Sequence, residues 1–144
     1  MHAWEIGIAA LAGIAAVVED LRARRISNWI PVFVLGGGLA LHAVERGLMG
    51  LLSGAGGALC GFAVFLIFYI LGGMGGGDIK LMAGFGGLLG PERVWVASWW
   101  AAVLGAVLAL SVLVWSRLQG RERRSIPYAP AVVAGAWIAI GAGK

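Results

Sequence analysis

The chain has 144 residues, of which 60% are hydrophobic and 12% charged, with a mean hydropathy of +0.91 and a net charge of +4. Soluble domains carry roughly a quarter charged residues, so the composition excludes a water-surrounded globule and predicts one membrane-embedded helix bundle over 1–144. The positive charge does not signal nucleic acid, because the basic residues sit in short loops where orientation in a bilayer explains them.

Six apolar segments can be marked along the chain. The first, approximately 4–18, lacks the basic start and the Ala-x-Ala site of a cleaved signal peptide, so a retained transmembrane helix is expected. It ends in Glu19 and Asp20 and gives way to a polar loop with Arg22, Arg24, Arg25, Ser27 and Asn28. Segments 29–44 and 51–71 follow. The latter, like 94–118, is long enough to cross a hydrocarbon core of about 30 Å as a helix of ~20 residues. Segment 79–90 is shorter, and either reaches part-way across or continues through Pro91. The last segment is 128–142.

Eight basic residues fall after segments one, three and five, and only Arg46, Arg93 and Lys144 fall on the other side. The positive-inside rule then gives six crossings with both termini outside. That topology puts the chain's two aspartates, Asp20 and Asp78, on the same cytoplasmic side. Gly57/Gly61, Gly73/Gly77 and Gly86/Gly90 have the four-residue spacing of small-residue helix packing. The seven tryptophans lie mostly near segment ends, as membrane-interface residues do. Cys60 is the only cysteine and lies in an apolar run, so it reads as a packing residue with no disulfide or zinc role.

The stretch Gly72-Gly73-Met74-Gly75-Gly76-Gly77-Asp78-Ile79-Lys80 stands out for its glycines, which leave a backbone open to close approach. A carboxylate near a membrane core is costly to ionise and marks a functional site by default. The plainer reading makes Asp20 and Asp78 helix-flanking interfacial residues. Their shared side and glycine-rich setting favour a pair in which one carboxyl keeps its proton. Such a pair supplies a base to activate water and an acid for the leaving group. The competing class is a small proton- or ion-coupled transporter using two membrane carboxylates. No HExxH zinc motif or rhomboid-type GxSG is present.

Gly75-Gly76-Gly77-Asp78-Ile79-Lys80 resembles the GxGD-x-K motif of prepilin peptidases. Asp20-x-Arg22-x-x-x-Ile26-x-Asn28 looks like that family's first-aspartate motif, and Pro127-Tyr128-Ala129-Pro130-Ala131 resembles the PY-x-x-A that opens its last helix. Ser27 stands where proline is usual, a place at a helix start that either residue suits. The resemblance implies an all-α polytopic membrane protease of the inner membrane that cuts the short basic leader from type IV pilin-like (prepilin or pseudopilin) precursors. Asp20 and Asp78 would be catalytic, without metal or other cofactor. Lacking paired CxxC motifs, the chain looks like the short, peptidase-only branch associated with Flp-type pili.

Other polar positions carry weaker expectations. Gly75 and Gly77 would give a substrate strand room to approach. Lys80 would hold substrate or tune Asp78, or else snorkel as a positive-inside lysine. Asn28 would bond near Asp20 or cap the second segment. Glu19 and His42 read as interfacial, and Arg22 as a partner of Asp20 or a topology signal. The basic loop Arg117–Arg124 is placed to meet anionic lipid. Oligomeric state is left open.

Overall fold

A computed structural model describes residues 3–119 and 126–142. All regular structure among them is helical: α1 (Ala3–Ala23), α2 (Trp29–Ile70), α3 (Gly76–Leu118) and α4 (Ala129–Ala142). Arg121, Arg123, Arg124 and Lys144, counted above for topology and lipid contact, lie outside the described residues.

A straight α2 of 42 residues would be about 63 Å long, twice the thickness of a hydrocarbon core. It is not straight. Gly47 adopts φ 58° and ψ −139°, a conformation costly for any residue with a Cβ, and breaks the helix. A Cβ on Gly54 would come within 2.9 Å of Leu39 Cδ2. Those residues would stand about 22 Å apart on an unbroken helix, so the two halves fold back on each other. α3 does the same at Gly90, with φ 76°, and Pro91 opens the second half where its missing N–H costs nothing. Gly61 packs against both the Met82 carbonyl and Val94, 12 positions apart on α3. Segment 79–90 therefore does not continue straight through Pro91.

Gly47 falls between two predicted apolar segments and Gly90 is the last residue of another, which makes six helical pieces out of four helices. By length and apolarity, α2 and α3 qualify as membrane-spanning. The pieces are held by small residues. Gly57 of α2 faces the Gly86 carbonyl and Gly90 of α3, and Gly86 faces the Gly57 carbonyl in return, so backbone meets backbone along this seam. Two of the three predicted glycine pairs thus form one interface. The third does not, because Gly73 lies in the turn before α3, not in a helix. Gly135 of α4 packs on the Ala97 and Ala101 backbone and Gly13 of α1 on Val133. Phe65, Leu81, Met82, Phe85 and Leu88 fill the centre, while Val44, Ile70, Leu110 and Trp115 point outward, as lipid-facing side chains do.

Candidate active site

The last turn of α1, the turn before α3 and the start of α4 meet at one end of the bundle. Asp20 occupies that last turn of α1 and is buried. Its Oδ2 accepts the backbone N–H of Ala129 at 3.0 Å, across 109 positions of sequence. The contact has a local cause. Tyr128 and Ala129 begin α4, whose first N–H groups have no partner within the helix and carry the positive end of its dipole. A carboxylate is the natural group to answer both. The Pro127-Tyr128-Ala129-Pro130 stretch delivers that helix start to Asp20.

Asp78 is the third residue of α3 and is also buried. Its Oδ2 accepts the Gly75 N–H at 3.2 Å, tying the carboxylate to the turn in front of its own helix. Its Oδ1 is buried without a hydrogen-bond partner among the described residues. Such an oxygen is rare in a folded protein and calls for an explanation. Asp78 feels the Asp20 charge, Asp20 feels the Arg24 charge, and Tyr128 feels the Asp78 charge.

Asp20, Asp78 and Tyr128 line one open cavity of about 330 Å³ together with Arg24, Met74, Ile126 and the glycines at 72, 73 and 75. Gly72 needs its glycine for a φ of 75°, and a Cβ there would meet nothing within 4 Å. A Cβ on Gly75 would lie 3.4 Å from Asp78 Oδ2. One wall of the cavity is therefore bare backbone.

The remaining expected site residues sit elsewhere. Gly77 faces Ile26, and a Cβ on this glycine would lie 3.2 Å from Ile26 Cβ, so it makes room for the loop after α1 and not for the cavity. Lys80 Nζ donates to Asn28 Oδ1 at 2.9 Å. That bond joins the start of α3 to the start of α2, and both residues border an apolar groove with Pro31, Leu35 and Phe62. Asn28 stands at the head of α2 without making a side-chain cap. Glu19 is more than interfacial, since its Oε2 accepts the Ser27 N–H at 2.7 Å and folds the loop back on α1. A proline at 27 has no such hydrogen to give. His42 lies at the far end, its Nε2 3.2 Å from the Leu88 carbonyl. Tyr128 and Arg24 do not stand out as cavity residues from sequence, although the former belongs to a visible motif. Among the described residues no group of three or more His, Cys, Asp or Glu is arranged to hold a metal ion.

Residues 7–110 match the sequence model of the type IV leader peptidase family, a span that includes both aspartates. The chain is 32% identical over 129 residues to a prepilin leader peptidase/N-methyltransferase of Bacillus subtilis, covering 88% of this chain. It spans about half (50%) of the length of that relative. No solved structure was found to match. With a family match over most of its length and both aspartates inside it, the chain belongs to the type IV leader peptidase family.

Proposed function

We propose that the chain is a membrane aspartic endopeptidase that removes the short basic leader of type IV pilin-like precursors at the cytoplasmic face. The observation that carries this reading is the shared cavity: two buried carboxylates line it beside a wall of glycine backbone. In the proposed reaction, Asp20 and Asp78 hold one proton between them. One takes a proton from the attacking water while the other donates to the scissile carbonyl oxygen. When the tetrahedral intermediate collapses, the proton gained by the base goes to the departing amine, and the other carboxylate takes back a proton from a hydroxyl of the intermediate, restoring the one-proton pair. No metal or other cofactor takes part, so a chelator is expected to leave cleavage unchanged.

The substrate lies as an extended strand along Gly72, Gly73 and Gly75, where no side chain intrudes. Its apolar helix stays in the bilayer against the bundle. In support, an apolar groove of about 500 Å³, lined by Ala106, Ala109, Leu110, Leu113 and Ile126 among others, shares Ile126 with the cavity. The six helical pieces are read as six crossings with both termini outside, and the substrates as Flp-type prepilins. The relative's second activity, methyl transfer, is not assigned to this chain.

Co-expression with a Flp-type prepilin tests the reading, with the precursor followed by its size on a gel. A shift with the wild type, absent with Asp20→Asn and with Asp78→Asn, is the expected result. An unshifted precursor beside well-inserted wild type, for several pilin-like precursors, would overturn it.

A further inference from the structure

We propose that a second cavity, at the end of the bundle opposite the aspartates, binds the phosphoethanolamine headgroup of a membrane lipid. Glu5 and Asp20 are both on α1, 15 positions apart, which separates them by about 22 Å along the bilayer normal if the helix stands upright. Glu5 therefore lies near the opposite membrane interface. Both helix breaks are at this end as well, and they bring Arg46, just before Gly47, beside Glu92 and Arg93, just after Gly90.

The cavity has a volume of about 200 Å³ and is lined mostly by polar and charged residues, with Leu89 and Pro91 among them. Glu5 is its floor, only 6% exposed, and Glu5 Oε2 is buried with no hydrogen-bond partner among the described residues. A carboxyl oxygen left bare in a membrane bundle is expensive, and a hydrogen-bond donor from outside removes that cost. The rim carries both signs, with Arg46 and Arg93 beside Glu45 and Glu92. Arg46 is exposed, Arg93 is half-buried, and Glu45 already has an interaction partner of its own.

A ligand that satisfies floor and rim together needs a cationic donor and an anion a few bonds apart. An ammonium on Glu5 and a phosphate on the arginines meet that need, the latter through charge-assisted bonds suited to guanidinium geometry. A trimethylammonium does not, because it has no hydrogen to donate. Depth and surroundings choose a lipid over a free zwitterion. Trp4 is 75% exposed next to Glu5, and the lining residues Arg46 and Arg93 are followed within two positions by exposed Leu48 and Trp95. Acyl chains can therefore run down the outside of the bundle while the headgroup enters it.

The test uses the full chain purified in detergent, with binding followed by native mass spectrometry and by the shift in melting temperature. Phosphatidylethanolamine, phosphatidylcholine and phosphatidylglycerol are added separately at equal mole fraction, and soluble phosphoethanolamine in a fourth arm. Phosphatidylethanolamine is expected to bind most tightly. Glu5→Gln, and separately Arg46→Ala with Arg93→Ala, should each weaken that binding about 10- to 100-fold, as loss of a hydrogen bond to a charged group does. Equal binding of the choline or glycerol lipid, or unchanged binding by Glu5→Gln, would overturn the proposal. Equal binding of soluble phosphoethanolamine would overturn the lipid as its source. Should Glu5→Gln fail to fold, the wild-type lipid series decides alone. None of these readouts depends on peptidase activity, so they stand or fall apart from the proposed reaction.

Discussion

At one end of the bundle Asp20 and Asp78 each accept a backbone N–H from a helix start, and they share an open cavity with glycine backbone. At the other end Glu5 Oε2 is buried with no partner among the described residues, beneath a rim of arginines and glutamates. The first pair is tied to backbone by the fold, with one oxygen, Asp78 Oδ1, left without a partner among the described residues. Glu5 has no such backbone tie on its Oε2, and the residue lines a separate cavity. Burial alone therefore does not separate the carboxylates proposed to react from the one proposed to bind. What distinguishes them is whether a second carboxylate shares the cavity and whether the backbone fixes them both.

The largest expected effect lies at the first end. Asp20→Asn and Asp78→Asn should each lower prepilin cleavage by roughly 100- to 10,000-fold, the usual worth of a general acid or base, while membrane insertion is unchanged. Near-normal cleavage by either variant would remove that residue from the chemistry and erase the difference between the ends. Gly77→Val comes next. Its added methyls would push on Ile26, so thermal unfolding should show a loss of about 1–3 kcal/mol, with activity falling as the loop after α1 shifts. A stable but inactive Gly77→Val protein would instead return this glycine to the substrate path.

Smaller effects sharpen the same contrast. Ser27→Pro removes the N–H that Glu19 accepts and should cost on the order of 1 kcal/mol by thermal unfolding. Lys80→Met breaks an exposed bond to Asn28 and should change stability by under about 1 kcal/mol, with cleavage largely retained. Glu5→Gln should leave cleavage within about two-fold of wild type, since distant sites act independently. A large loss of cleavage there would mean that the two ends are coupled.

Much of this was legible in the sequence because glycine and aspartate are so unevenly placed. The apolar runs marked the helices; a gap between two of them holds the break at Gly47, and the end of segment 79–90 holds the one at Gly90, where backbone conformation demands glycine. Two aspartates in the whole chain made their pairing an obvious expectation, and they do line one cavity. The neighbouring residues were harder to read. Spacing alone placed Gly77 with Gly75, but Gly75 precedes the helix whereas Gly77 is within it, so they face different partners. Lys80 and Asn28 are 52 positions apart, and their bond depends on how two helix starts are set side by side. Glu5 carried no motif, and its isolation is a property of packing alone.

The Ala129 N–H bond to Asp20 has a consequence for the order in which the protein matures. Asp20 lies on the first of the four described helices, and its backbone partner on the last of them. Until α4 has been made and docked, the first carboxylate lacks the contact that fixes it, even with α1, α2 and α3 already inserted. A nascent chain would then hold its two aspartates without holding them in register. Under the proposed function, cleavage would therefore have to wait for α4 to dock against α1.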